Sequence, residues 1–222
     1  MEFDVRRYLA AYSSLKDNER FKEQDTIERL IVPFLSELGW KVYDDAYSWC
    51  LLRGDRNHNG NPPKSTRRFD LNLYDSKNDR RTKIAIEVKP AGSQFRIPLN
   101  GVEHDHDVIA GNKSSIGQVM DQMFNPKFGI DCDGVGITRG FTIGVWTEGK
   151  KWVVFRFCTG DNLDDGWRPI PEGLFPHRED YHLQNPPPRM AYQEFEIDSD
   201  PSVMDLLKNL LGPSPAALAN MS

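Results

Sequence analysis

The sequence predicts an α/β domain with a mixed central β-sheet flanked by helices. Three observations lead there. Residues 19 to 38 carry apolar side chains at helical spacing, two adjoining segments between 67 and 89 alternate strictly, and two further runs near 140–147 and 151–158 flank a glycine turn. With 38% hydrophobic and 11% aromatic residues, the 222-residue chain can bury a sizeable core.

In order along the chain, Phe3, Tyr8, Leu9, Tyr12 and Leu15 predict a first helix over residues 2 to 15. A second is predicted from about Glu19 to Leu38, with Ile27, Leu30, Ile31, Phe34, Leu35 and Leu38 on one face. Gly39 stands where a left-handed cap ends a helix. Pro33 lies inside the pattern, and a kink or a split into two helices is expected there. Residues 54 to 66 read as a loop. The segments RRFDLNLYD (67–75) and TKIAIEVK (82–89) read as a hairpin, with Phe69, Leu71 and Leu73 on one face of the first strand. Ile84, Ile86 and Val88 share one face of the second. A long loop over 91–112 and a helix over about Ser114 to Phe124 follow, then the strands around Thr147-Glu148-Gly149. Residues 192–198 read as a late strand and 202–211 as a short amphipathic helix. Residues 1–160 therefore form the expected core. Residues 161–222 form a Pro/Gly-rich extension packed on it.

The charge balance, 28 basic against 33 acidic residues, argues against a surface that coats nucleic acid throughout but allows a local basic groove. No apolar run is long enough for a membrane span, and the charged N-terminus does not read as a signal peptide. Cys50, Cys132 and Cys158 are widely spaced and odd in number, which reads as reduced thiols in a cytoplasmic protein.

The chemistry lies in the alternating segments. Side chains two apart on a strand share a face at roughly 6.5 to 7 Å, so Glu87 and Lys89 are neighbours opposite Ile84, Ile86 and Val88. Asp70 likewise opposes Phe69, Leu71 and Leu73. A hairpin turning on Asn78-Asp79 sets Asp70 directly across from Glu87, where both carboxylates could share one cation, and a slip of one residue would separate them. Hard carboxylate oxygens suit Mg²⁺ together with a substrate phosphate, and an adjacent ammonium can orient water and stabilise developing negative charge. The same triple also occurs on ordinary solvated strand faces.

The spacing Asp70-(x16)-Glu87-Val88-Lys89 resembles the catalytic core of PD-(D/E)XK nucleases. Upstream, residues 22–40 are similar to the helix preceding that core in the N-terminal nuclease domain of type I restriction enzyme R subunits. The matching positions are Glu23, Thr26, Ile31, Pro33, Leu35, Leu38, Gly39 and Trp40. Thr147-x-Gly149-x-x-Trp152 resembles the hairpin after the catalytic strands, with Glu148 where a small amide or acid is commoner. The resemblance implies a restriction-endonuclease-like core that hydrolyses nucleic acid, DNA by expectation, with Mg²⁺ or Mn²⁺. Asp70 and Glu87 would hold the metal, Lys89 would assist the attacking water, and Glu23 would be a third acidic ligand.

Helix geometry allows that role for Glu23: the apolar face centres about 50° from it, against about 90° for Glu19 and Glu28. A plain surface salt bridge is the alternative. The family often carries a Gln on the helix after the lysine strand. Gln118 and Gln122 both fit, although Pro126 replaces the Tyr that commonly follows, and a solvated helix surface serves equally well. Arg67 and Arg68, with Arg80, Arg81 and Lys83, could contact phosphates or simply keep an edge and a turn soluble. The run Glu103-His104-Asp105-His106-Asp107 reads as a hydrophilic loop before a metal cluster, and His177 and His182 have no evident partner.

R subunits fuse this domain to a motor, but no GxxxxGK[ST] is present here. The implied protein is a stand-alone nuclease or one component of a defence, phage or mobile-element system, acting as a homodimer or with a partner subunit. The alternatives are a catalytically silent PD-(D/E)XK-fold module that binds nucleic acid or assembles subunits, and a small structural α/β protein.

Overall fold

The computed structural model describes residues 3–40, 52–53, 70–73, 84–96, 115, 119, 143–158, 166–170, 189–198 and 200–213. Among these residues, seven strands form one sheet: β1 (Leu52–Arg53), β2 (Leu71–Leu73), β3 (Ile84–Val88), β4 (Ile143–Thr147), β5 (Lys151–Cys158), β6 (Arg168–Pro169) and β7 (Arg189–Glu196). Their order is β1-β2-β3-β4-β5-β7-β6. The β3–β4 pair is parallel and the other neighbours are antiparallel, so the protein is α/β with a mixed sheet.

The register of β2 on β3 is the one the alternation requires. Leu71 faces Ile86, Asn72 faces Ala85 and Leu73 faces Ile84, which brings Asp70 to the level of Glu87. All five residues of β3 are buried, so this strand lies at the centre of the molecule. Beyond its end the Lys89 N–H continues the parallel ladder by donating to the Thr147 carbonyl at 2.8 Å.

Helix α1 (Val5–Lys16) is capped by the Asp4 carboxylate, which accepts from the Arg7 N–H, and it buries Tyr8, Tyr12 and Leu15. Helix α2 runs without a break through Glu23–Thr26, a π-turn at Ile27–Ile31, and Val32–Glu37. It begins at Glu23, four residues later than the periodicity suggests. At Pro33, where a kink or split is expected, the helical turns continue and a π-turn stands just before the proline. Proline has no N–H to donate and its ring crowds the carbonyl one turn back. The wider turn, closed by the Val32 N–H donating to the Ile27 carbonyl, accommodates both without ending the helix. The helix stops at Gly39 (φ 106°), where the Gly39 and Trp40 N–H groups donate to the carbonyls of Ser36 and Leu35.

The helices cover one face of the sheet. Leu30, Ile31, Phe34 and Leu35 pack with Tyr8 and Tyr12 against Ile86, Val88, Val145, Trp152 and Val154, and Phe34 meets Trp152 at 4.6 Å between ring centroids. The C-terminal extension belongs to this same core. Strand β7 pairs with β5 along its whole length and starts three residues before the expected strand, and Phe195 and Ile197 point into the helix-covered side. Helix α3 (Pro201–Leu211) adds Leu207 and Leu211, and the Trp40 indole N–H donates to the Leu211 carbonyl at 2.6 Å. No described helix is long and apolar enough to cross a membrane.

Candidate active site

Four charged side chains from three parts of the chain meet at the C-terminal end of β3. Glu87 is placed by strand alternation on the face away from the α1–α2 core and is only 5% exposed. Asp70, one residue before β2, turns its Oδ2 to accept the Val88 N–H at 2.6 Å, which ties it to the strand that carries Glu87. The Lys89 Nζ donates to Glu87 Oε1 at 2.5 Å and lies 3.7 Å from Glu23 Oε2, on the first residue of α2. That helix start is itself fixed to the strand end, because Thr26 Oγ1 accepts the Ala91 N–H at 3.0 Å.

The electrostatics follow from crowding three acids around one base. Burial, then the charges of Glu87 and Glu23, push the Asp70 carboxyl up to about 8, against the pull of the Val88 N–H and Lys89. Asp70 therefore holds its proton more tightly than an ordinary carboxyl in the metal-free protein. Burial also raises Glu23, with Lys89 opposing and Glu87 adding to the rise, and a hydrogen bond with Asp70 favours the Glu23 carboxylate. Burial works against the Lys89 charge, but Glu87, Glu23 and Asp70 outweigh it and hold the ammonium above its usual range.

Among the described residues, one atom of this cluster has no partner: Glu87 Oε2 is buried without a hydrogen bond. A buried acceptor left unsatisfied costs about 1–3 kcal/mol, and more when charged. Together with a neighbouring carboxyl whose charged form is disfavoured by burial and by Glu87, it fits a divalent cation that prefers hard oxygen ligands. Among the described residues no three His, Cys, Asp or Glu side chains form a ready-made metal cage. Mg²⁺ does not require one, since it binds through one or two carboxylates plus waters and phosphate oxygens. Beside Glu87 in the parallel ladder stands Trp146, whose buried indole N–H is also unpartnered.

Asp70, Glu87, Lys89 and Glu23 are thus brought together. Gln118, Gln122, Arg67 and Arg68 lie outside the described residues, as do the Asn78-Asp79 turn, Arg80, Arg81, Lys83, residues 103–107, His177 and His182. The sequence marks Glu148 only as a departure from the family hairpin and assigns it no role. It is 3% exposed, and its carboxylate accepts from the Tyr12 hydroxyl (2.7 Å) and the N–H groups of Gly92 (2.6 Å), Lys150 (3.2 Å) and Lys151 (2.7 Å). Its one visible signal was an acid within a turn otherwise made of Thr147 and Gly149.

Comparison of the chain with protein-family models, with characterised proteins and with solved structures found no match.

Proposed function

We propose that the protein is a metal-dependent phosphodiesterase that hydrolyses nucleic acid, with DNA as its substrate and a restriction-endonuclease-like core. The observation that carries this reading is Glu87: buried, paired with Lys89 through one oxygen, bare at the other, and level with the second carboxyl, Asp70. A buried ion pair is stabilising only when its remaining lone pairs are satisfied, and here one oxygen is bare with two further acids beside it.

Asp70 and Glu87 would hold Mg²⁺ or Mn²⁺, with Glu23 as the third acid of the cluster. The cation, when bound, supplies charge neutralisation on the scissile phosphate and a more acidic water. Asp70 gives up its proton when it becomes a ligand, so cation affinity rises as pH approaches about 8. Lys89, kept charged by its carboxylate neighbours, orients the attacking water and stabilises negative charge gathering on the phosphate. Glu23 lies 3.7 Å from the ammonium that Glu87 already holds in direct contact, so the lysine stands between two carboxylates.

Cleavage of linear, circular and single-stranded DNA with Mg²⁺ or Mn²⁺ tests the reading. Wild type should cut only with metal, and Lys89→Ala and Asp70→Ala should each reduce kcat by about 10²–10³-fold. No cutting on any substrate, with DNA binding equal in all three proteins, would overturn it in favour of a binding module.

A further inference from the structure

We propose that Glu148 is a positioning residue for this reaction: it fixes the backbone that carries Lys89. The inference rests on the reading of Lys89 given above. The segment from Lys89 to Gly92 leaves the sheet directly after β3, and three hydrogen bonds hold it. The Lys89 N–H donates to the Thr147 carbonyl, the Ala91 N–H to Thr26 Oγ1, and the Gly92 N–H to Glu148 Oε2. Pro90, between them, has no N–H to contribute. Gly92 has φ of 86°, and a Cβ there would stand 2.8 Å from the Lys16 side chain, so the segment turns sharply and passes close to α1.

Glu148 joins three regions distant in sequence. One oxygen takes the Tyr12 hydroxyl of α1 and the Gly92 amide, and the other takes the Lys150 and Lys151 amides of the β4–β5 turn. Hydrogen bonds to an ionised acceptor are roughly twice as strong as neutral ones, and four donors satisfy a carboxylate that burial would otherwise penalise. The hairpin therefore grips the lysine segment at two points, Thr147 and Glu148, while Thr26 ties it to the helix that carries Glu23.

Replacing Glu148 by Gln keeps shape and volume but converts one oxygen into a donor. Whichever way the amide turns, one pair of N–H or O–H donors faces an NH₂ group. With the NH₂ toward Gly92 that amide is released, and with it toward Lys150 and Lys151 the turn that carries Thr147 loosens. Either way the Lys89 backbone loses one of its anchors, and displacements of about 1 Å lower rates by up to about 10²-fold.

Single-turnover cleavage with Mg²⁺, well below the melting temperature, tests the inference. Glu148→Gln should lower kcat by about 10–100-fold, with KM for DNA within about twofold because Glu148 is buried. In the Lys89→Ala background the same substitution should add no further loss, since the group it positions is gone. Tyr12→Phe, which removes one of the four bonds, should lower kcat a few-fold, and it decides the matter if Glu148→Gln does not fold. A merely structural Glu148 would lower the melting temperature while kcat per folded molecule stayed unchanged. Unchanged kcat, or full additivity with Lys89→Ala, overturns the positioning role and leaves the nuclease reading standing. Wild type inactive on every substrate overturns both.

Discussion

Glu87 and Glu148 are both buried carboxylates, and their surroundings treat them in opposite ways. Glu148 meets four hydrogen-bond donors. Glu87 meets one ammonium and leaves an oxygen bare, next to two more acids. The second arrangement makes the metal-free protein sensitive to pH in a defined direction. Asp70 is raised from its ordinary value of 3.8 to about 8, so between those values the folded state binds more protons than the unfolded chain. Stability is then lost as pH rises from about 4 to about 8. The expected melting temperature in a chelator is lower at pH 8.5 than at pH 5.5, with the difference reduced in Asp70→Asn; equal slopes in the two proteins would contradict this origin. Asp70, Glu87 and Lys89 were legible in the sequence because two-residue alternation fixes which side chains share a face, and one turn position fixes the register. Glu148 was not, since its meaning depends on Tyr12 and Gly92, which are 136 and 56 residues away.

Among the elements, the β4–β5 hairpin meets the helical layer in close contact. Gly149 sits at its tip with φ of 103°, its carbonyl accepts from the Tyr8 hydroxyl and the Trp152 indole, and a Cβ there would lie 2.7 Å from Leu30 Cδ1. Gly149→Ala should therefore destabilise the fold by about 2–4 kcal/mol, through backbone strain and a forced shift of Leu30 in a packed core. Urea unfolding measures this, and a loss below about 1 kcal/mol would show that the tip can relax. Periodicity located α1, α2, α3 and the longer strands because each buries a repeating face. It could not reveal β1 or β6, two residues each, which are too short to show a period. It flagged Pro33 as an irregular point, but spacing alone does not say whether a helix answers a proline with a break or with a wider turn.

For the molecule as a whole, composition separated an extension over 161–222, yet its described residues include structural members of the core. β7 lies between β5 and β6 in the sheet, and Phe195, Ile197, Leu207 and Leu211 are buried with residues of α1 and α2. Burying four such side chains contributes about 6–12 kcal/mol, comparable to the whole stability of a typical domain. A chain ending before Arg189 is expected to lose cooperative unfolding and native near-UV circular dichroism, whereas a retained sharp transition would show that the first 188 residues fold alone. The net charge of -5 also has a local meaning, since the acids at the end of β3 concentrate negative charge where a cation would sit. The most direct measurement is the melting temperature of wild type and Glu87→Gln at pH 8, with and without millimolar Mg²⁺. Wild type should gain stability, by about 2.7 kcal/mol once Mg²⁺ reaches a hundred times its dissociation constant, and Glu87→Gln should gain little. No gain in wild type, or the same gain in both proteins, would contradict a divalent-cation site built on Glu87.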